Sequence, residues 1–423
     1  MNSSRGAGFS APLLIFFLVN VVNFYDRQAL GAVLEPLRRE FHLSDTQLAA
    51  LTTAFTLLYA VAGLPLGRLA DRWRRKWLLA IGVAVWTGLT GLGGLAANYA
   101  TLMATRLGVG IGEAVCAPAA TSWIGDLVPA GRRARAMAWF MMAIPVGGFL
   151  SYSVGGPIAQ AHGWRVALVL AAIPGAALVP ALLLLREPVR ESVAAGQASD
   201  RPALLAKIPA FWWIAASGAV VNFMLYSFSL FLPAFLTRYH GLSVARAGLW
   251  SGLGTGVAGV LGALAAGALG DRMTGHLARG RLRTAACASA LAAPLAWWAI
   301  ATPAGNVAAA LLLLVVAYGL WQTYYGLVYA AIQDIVPAGL RATAMAAYYL
   351  AMYLCGASFG PLITGRLSDR FAQQAAAAGA TAEVARAIGL HQAMYIIPAL
   401  SVLLAAILLA GSRPGCFRDV PSS

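Results

Sequence analysis

Charged residues are scarce in this sequence. Only 11% of its 423 residues are Asp, Glu, Lys or Arg, whereas soluble domains carry about 25%. Lysine is nearly absent, since Lys76 and Lys207 are the only two examples. Hydrophobic residues make up 60% of the chain, which excludes an ordinary soluble domain and indicates a polytopic membrane protein. The preference for Arg and Ala over Lys suggests a bacterial inner membrane.

Cysteine and histidine are also rare, with four and five residues. Three cysteines fall inside hydrophobic segments and the fourth lies near the end of the chain, without metal-ligand spacing. The histidines lie in loops or at segment ends, and no Walker loop, metal-ligand cluster or nucleophile elbow occurs. We therefore expect no disulfide, no metal, no cofactor and no enzymatic activity.

Long hydrophobic segments are abundant instead. About 20 apolar residues are needed for a helix to cross a membrane, and twelve segments reach that length. They are typical of helices rather than barrel strands, which alternate over about ten residues. The first is too long for a signal peptide and is expected to be retained. The segments lie near residues 10–34, 46–67, 77–97, 100–124, 135–160, 165–185, 210–237, 245–269, 284–302, 306–332, 342–366 and 391–411.

The net charge of +15 is concentrated in alternate loops. The positive-inside rule therefore places these loops, and both termini, in the cytoplasm. A nucleic-acid partner is not needed to explain the charge, because topology already accounts for it. The basic loop residues include Arg72, Arg74, Arg75, Lys76, Arg132, Arg133, Arg135, Arg186, Arg190, Arg272, Arg279, Arg281 and Arg283.

Two stretches recur about half a chain apart. DLVPAGRRARAMA (126–138) returns as DIVPAGLRATAMA (334–346), and GRLADR (67–72) returns as GALGDR (267–272). Each half also has a helix-start signal, a capping box at Ser44 and an N-cap at Ser243. We therefore predict two pseudo-symmetric six-helix bundles, residues 1–186 and 210–423, joined by a cytoplasmic linker at 187–209. A single distant recurrence indicates a duplicated half rather than a solenoid.

Several motifs resemble a known family. GRLADRWRRK (67–76) resembles the signature loop of the major facilitator superfamily, and this resemblance implies a substrate site between the two halves near the bilayer midplane. Residues 25–48, 106–129 and 163–190 are similar to the Spinster-like family and its bacterial relatives. That narrower resemblance implies a lysophospholipid-like or sphingolipid-like cargo, and a different cargo in the bacterial relatives is the alternative.

Asp26 is the first candidate for a proton-carrying residue. An ionisable group at membrane depth costs at least about 2.5 kcal/mol, so it is a functional candidate by default. Asn20, Asn23 and Asp26 recur with a spacing of three and form a polar stripe with Arg27. Burial favours a protonated carboxylate and a nearby cation disfavours it, so a carboxylate whose cation moves can bind and release a proton. Arg27 is that cation, a ligand for an anionic headgroup, or one half of a structural pair with Asp26.

Glu113 is the second such candidate. It lies two helical turns from Arg106 on a face rich in glycine, which permits close helix packing. A buried carboxylate needs a partner, and either Arg106 or Arg27 is suited to that role. Gly112-Glu113-Ala114 resembles the Spinster-like pattern, which implies a role in coupling. The alternative is a fixed pair between helices.

The C-terminal half offers polar and aromatic side chains in place of charge. A cavity that is charged on one wall and aromatic on the other suits an amphipathic substrate. Aromatic residues at the membrane interface explain the same composition equally well. The candidate substrate-binding residues of this half are Asn222, Tyr226, Trp321, Gln322, Tyr325 and Tyr349.

The repeated loops predict a cytoplasmic gate. Asp71 is expected near the start of the eleventh segment, where unpaired N–H groups favour negative charge, and Asp271 is its counterpart. The second copy departs from the signature after Arg272, so its latch is expected to be weaker. The alternative is that the arginines only set topology. The gate candidates are Asp71, Arg72, Arg75, Arg133, Asp271, Arg272 and Arg341.

These features favour a proton-coupled secondary transporter of an amphipathic or anionic small molecule, acting by alternating access and as a monomer. A facilitator that needs no proton, or an exporter of organic anions or drugs, is the alternative within transport. A membrane-embedded enzyme and a receptor with a transporter fold are the alternatives outside it.

Overall fold

The computed structural model describes residues 11–187, 203–272, 277–337 and 340–417. All regular elements in these ranges are helical, and twelve helices are long and apolar enough to cross a membrane. The predicted fold of two six-helix bundles is confirmed. Most of the predicted linker, residues 188–202, lies outside the described residues, so the boundaries at 186 and 210 remain predictions.

The first six membrane helices are α1 Ala11–Ala32, α2 Asp45–Arg72, α3 Arg75–Gly93, α4 Tyr99–Glu113 continued by Cys116–Leu127, α5 Ala130–His162 and α6 Trp164–Leu184. The second six are α7 Pro209–Arg238, α8 Val244–Arg272, α9 Leu277–Ala301, α10 Val307–Ile335, α11 Arg341–Leu350 continued by Ala351–Ala357 and Phe359–Ala377, and α12 Ala382–Met394 continued by Ile396–Gly411. A short helix, Leu34–Phe41, follows α1.

The helix starts predicted for the two halves are present. Gln47 N donates to Ser44 Oγ at 3.2 Å and Ser44 N donates to Gln47 Oε1 at 2.9 Å, which completes the predicted capping box of α2. At the matching place in the second half, Arg246 N donates to Ser243 Oγ at 3.3 Å. Each bond satisfies an amide that the first helical turn leaves unpaired.

The two halves meet along three helix pairs, α1 with α7, α2 with α11 and α5 with α8. The last pair packs backbone against backbone. A Cβ on Gly248 would lie 2.6 Å from Tyr152 O, and one on Gly252 would lie 2.8 Å from Phe149 O. Only glycine allows so close an approach.

The two ends of the bundle differ in charge. We call one the basic end, because the exposed residues Arg74, Arg132 and Arg283 lie just before or within the first two turns of helices that begin there. We call the other end of the bundle the opposite end, and it carries the start of α2 and the end of α7. The cross-half hydrogen bonds identified among the described residues run from the level of the buried site to the opposite end.

Packing within the N-terminal half also depends on glycine. A Cβ on Gly147 of α5 would lie 2.4 Å from Val21 O in α1, and one on Gly110 of α4 would lie 2.6 Å from Phe55 O in α2. The close packing predicted for the glycine-rich face of α4 is therefore present at Gly110.

Gly147→Ala is expected to lower stability by about 1–3 kcal/mol, because the new methyl group must push α1 away from α5. Thermal unfolding of the detergent-solubilised protein measures this loss. Gly148→Ala is the matched control on the next residue, since its Cβ would meet only Gln28 Cγ at 3.9 Å. Equal melting temperatures for the two variants would contradict the packing argument.

Candidate functional site

Four ionisable side chains from α1 and α4 form a buried cluster. Arg27 Nε lies 2.9 Å from Glu113 Oε2, and Arg106 Nη1 lies 3.4 Å from Asp26 Oδ1. At most 6% of any of these four side chains is exposed. Asp26 and Arg27 are adjacent in the chain but pair with different residues. The ion pair between Asp26 and Arg27, considered as an alternative above, is therefore absent from this structure.

Thr90 of α3 completes the pair at Asp26. Its hydroxyl donates to Asp26 Oδ2, and Arg106 Nη2 donates to Thr90 Oγ1 at 3.1 Å. Three helices thus hold one carboxylate. Thr90 was not predicted, because a single threonine in a hydrophobic segment carries no local signal of a polar partner 64 residues away.

Some polar atoms of this cluster have no hydrogen-bond partner among the described residues. They are Glu113 Oε1, Arg106 Nε and Asn23 Nδ2. Buried polar atoms are normally hydrogen-bonded, so unpaired ones need an explanation. Glu113 can accept a further donor or a proton at Oε1. Asn20, in contrast, donates to Phe140 O at 2.9 Å and ties α1 to α5.

Arg27 also faces an aromatic wall at the junction of the halves. Its guanidinium carbon lies 4.1 Å from the ring centre of Tyr59 and 4.7 Å from that of Phe24. Behind Tyr59, the ring of Tyr353 lies 5.5 Å away, and that of Tyr226 lies 6.3 Å from Tyr353. Arg27 is therefore held between a carboxylate and two rings of the N-terminal half, and rings of the C-terminal half continue the wall behind Tyr59.

The other candidates of the C-terminal half are placed differently. Asn222 donates to Gly218 O in its own helix, and Trp321 Nε1 donates to Ser401 Oγ at 2.8 Å. Both side chains are buried within this half. Gln322, Tyr325 and Tyr349 contact neighbouring tyrosines, namely Tyr318, Tyr324 and Tyr329. Of the six candidates, Tyr226 is the one linked through ring contacts to Arg27.

The α11 segment that carries Tyr353 is a π-helix, Ala351–Ala357. Ser358 N donates to Tyr353 O at 3.0 Å, a bond one residue wider than in an α-helix. π-turns are rare and often mark functional sites. This turn lies just before Pro361, which has no N–H to continue the regular pattern.

The predicted gate residues are described only in part. The side chains of Asp71, Arg72, Arg133, Asp271 and Arg272 lie outside the described residues. Arg341 is exposed and donates to Val336 O.

Arg75, another predicted gate residue, is buried and bound within the N-terminal half. It pairs with Asp126 at 2.6 Å and with Glu187 at 3.1 Å. In this structure Arg75 therefore joins the ends of α4 and α6 to α3 rather than joining the two halves. The reason is its place in the first turn of α3, beside Asp126 at the end of α4 and Glu187 just after α6.

A second charged network, missed by the sequence analysis, joins the halves at the opposite end. Arg238 of α7 makes a two-bonded contact with Asp45 of α2, with both N–O distances 2.8 Å. It also reaches Glu35 Oε1 at 2.5 Å. All three side chains are at most 5% exposed. Bidentate arginine–carboxylate pairs are strong and geometrically specific, so this network holds the opposite end closed.

Comparison with known proteins agrees with this architecture. The family model described as Major Facilitator Superfamily matches residues 16–361. The chain is 33% identical over 370 residues to an "MFS-type efflux pump" of Mycolicibacterium smegmatis, covering 85% of this chain and 84% of that protein. It is 30% identical over 386 residues to human "Protein spinster homolog 1", covering 83% and 71% of the two chains.

A solved structure is similar over nearly the whole chain. It is a crystal structure of a bacterial homolog to the human lysosomal transporter Spinster, described as inward-facing and unoccupied. The TM-score is 0.86 at 27% identity, and the match covers 98% of each chain. The resemblance to Spinster proteins inferred from the sequence motifs is thereby confirmed.

Proposed function

Because this chain belongs to the Major Facilitator Superfamily of membrane transporters, we propose that it is a proton-coupled secondary transporter of an amphipathic or anionic small molecule. The observation that supports this most directly is the buried pair of Arg27 and Glu113. Arg27 lies at the junction of the halves, and Glu113 keeps one unpaired carboxylate oxygen among the described residues.

The pair supplies a physical route to coupling. A substrate anion and the Glu113 carboxylate compete for one guanidinium. Protonation of Glu113 removes its charge and frees Arg27, so a proton and an anion bind better together than separately. Linkage makes this effect reciprocal: the bound anion strengthens proton binding to the same degree. This arrangement favours cotransport of a proton and an anion in one direction.

The aromatic wall suits the apolar part of the substrate. Tyr59, Tyr226 and Tyr353 extend from Arg27 toward the C-terminal half, so a charged head at Arg27 would place an apolar body against these rings. A lysolipid-like molecule, as the Spinster resemblance implies, has this character. Tyr59 is an addition to the candidates, whereas Asn222 and Trp321 are buried within the C-terminal half.

The basic end is taken as cytoplasmic by the positive-inside rule. The chain then lies in the inner membrane with both termini in the cytoplasm. Since the halves are joined at the opposite end, the conformation is open toward the cytoplasm, as in the inward-facing homolog. We retain the boundaries 1–186, 187–209 and 210–423 for the two bundles and their linker, and we expect a monomer.

A second function is favoured by one observation, the 33% identity to a protein named as an efflux pump. An exporter of organic anions or drugs would exchange its substrate for protons. Binding of substrate would then release a proton rather than promote its uptake. The sign of the proton movement on substrate addition therefore separates the two functions.

Proton movement in proteoliposomes is the decisive test. Purified protein is challenged with a panel of lysolipids and organic anions while a trapped pH dye reports proton flux. The expected result is flux with one substrate class, at least tenfold smaller in Glu113→Gln, which carries no titratable carboxylate.

Glu40→Gln is the matched control for that variant. Glu40 is an exposed carboxylate at the opposite end, where its hydrogen bond to Arg165 lowers its pKa and keeps it ionised. This control should transport like the parent protein. Substrate flux without proton flux in the parent protein would reject coupling and leave a facilitator, and proton release on substrate binding would favour the exporter.

A further inference from the structure

The aromatic wall behind Arg27 continues into a larger cluster of tyrosines. Tyr325 and Tyr329 of α10 have ring centres 5.8 Å apart, and the ring of Tyr349 in α11 lies 5.9 Å from that of Tyr329. Tyr349 comes one helical turn before Tyr353 on α11, so it joins this group to the wall. We call the whole set the tyrosine cluster, and its members are Tyr59, Tyr226, Tyr325, Tyr329, Tyr349 and Tyr353.

The tyrosine cluster lies at the junction of the two halves. Its members come from α2 of the N-terminal half and from α7, α10 and α11 of the C-terminal half. Tyr59 and Tyr226 lie far from the ends of α2 and α7, at Arg72 and Arg238, by about 18–20 Å along each helix. The aromatic belts of membrane proteins lie at headgroup level, so a belt does not explain why these two rings meet Tyr353.

A second layer of tyrosines holds the cluster from behind. Tyr324 and Tyr348 are at most 1% exposed, and the hydroxyl of Tyr348 donates to that of Tyr324 at 3.1 Å. The centres of these two rings lie 5.5–6.0 Å from those of Tyr325, Tyr329 and Tyr349. All six members of the tyrosine cluster, in contrast, keep part of their surface exposed. The cluster is therefore a wall that is supported on one side and open on the other.

An open wall of tyrosine favours an aromatic body over a saturated chain. Aromatic rings attract one another in edge-to-face and offset arrangements beyond what their contact area provides, and a saturated chain lacks this attraction. A flexible chain also loses more conformational freedom than a rigid ring system when it is ordered against a wall. Where a chain covers a tyrosine hydroxyl, that hydroxyl loses water and gains no hydrogen bond. The best ligand for this wall is therefore flat and aromatic.

We propose that the substrate is an aromatic anion, whose charged head binds Arg27 and whose ring system packs on the tyrosine cluster. The ring centre of Tyr59 lies 4.1 Å from the Arg27 guanidinium carbon, so a ring joined directly to a carboxylate would lie beside Tyr59 and Tyr353. Arginine favours two parallel hydrogen bonds to such a carboxylate. This substrate class rests on the proposed function, since it needs Arg27 as the site of the anionic head.

Two anions with the same carbon skeleton test the proposed class. Naphthoate is flat and aromatic, whereas decalin carboxylate carries the same charge on the saturated form of the same rings. Calorimetric titration of the purified protein in nanodiscs measures the dissociation constant of each anion at one pH, and empty nanodiscs correct for partition into lipid. Naphthoate should bind at least about tenfold more tightly, and also more tightly than a short-chain lysophospholipid. Burial of apolar surface alone would favour decalin carboxylate, which is the more hydrophobic anion.

Substitutions in the tyrosine cluster locate the preference. Tyr353→Leu should reduce it to within about threefold, because leucine keeps an apolar surface and removes the ring. Tyr353→Phe keeps the ring and should keep the preference. Tyr226→Leu removes another ring of the cluster and should act in the same direction, even where Tyr353→Leu folds poorly. Tyr395→Leu is the matched control in the same half, since Tyr395 contacts Trp297 and His391, and it should leave the preference unchanged.

The possible results separate the substrate class from the proposed function. Equal affinity for the two anions, or tighter binding of decalin carboxylate or of the lysophospholipid, would overturn the aromatic class and leave the proposed function intact. A preference that survives both leucine variants would do the same. If none of the three ligands binds, or if Arg27→Ala binds all of them like the parent protein, the anion site of the proposed function is rejected and the aromatic class with it.

Discussion

Asp26→Asn is expected to abolish proton-driven transport, which would be measured as a loss of at least tenfold. Substrate exchange without a proton gradient should continue. Asparagine has nearly the shape of aspartate, so its side-chain oxygen still accepts from the Thr90 hydroxyl. It has no proton to carry and no charge to balance Arg106. The variant therefore separates movement of the substrate from use of the proton gradient.

The measurement is a comparison of two assays on the same proteoliposomes. Counterflow of labelled substrate reports exchange, and accumulation against an imposed pH gradient reports coupling. Thr90→Val is the matched control, because it keeps both charges of the pair and removes only the bridging hydroxyl. Wild-type accumulation in Asp26→Asn would reject this carboxylate as a coupling residue and make its pair with Arg106 structural.

The helices of this protein were predictable because each needs only a long apolar segment. In a membrane, every backbone N–H and C=O must be satisfied within the segment, so composition alone selects a helix. The short helix Leu34–Phe41 was not predicted, and α11 extends to Ala377, beyond the predicted residue 366. Both differences occur where the helices leave the apolar interior of the membrane, because polar residues are tolerated there.

The charged members of the buried site were predictable, but their pairing was not. Charged residues at membrane depth are rare because their burial there costs free energy. This was enough to identify Asp26, Arg27, Arg106 and Glu113 as candidates. Which cation meets which carboxylate depends on the rotation of α1 against α4. The position of α1 depends in turn on its packing against α5, as where Gly147 approaches Val21 O, and such packing leaves no local trace in the sequence.

A sequence signal lies beside the closed network at the opposite end, where Asp369 accepts a hydrogen bond from Asp45 N. The GRLSDR stretch at 365–370 repeats the α2 signature GRLADR with one change in six residues, but the duplication of the halves pairs α2 with α8 and not with α11. Arg238, Asp45 and Glu35 lie at segment ends, where charges are common and usually solvated. They differ from other such charges in their contact across the two halves, and this contact is a property of the tertiary structure.

Arg27→Ala is expected to abolish transport and to destabilise the protein. Glu113 is fully buried, and removing one partner of a buried ion pair costs about 3–5 kcal/mol because the remaining charge is uncompensated. The melting temperature should therefore fall by several degrees. Transport should fall at least a hundredfold, since the guanidinium that would receive the anionic head is gone.

The double variant Arg27→Ala/Glu113→Gln distinguishes a transport role from a structural one. It removes both charges, so most of the lost stability should return, as replacing both members of a buried pair is often neutral. If Arg27 binds the substrate, transport stays absent despite recovered stability, and substrate no longer raises the melting temperature. If the pair only fixes α1 against α4, transport recovers together with stability, and the substrate headgroup must be received elsewhere.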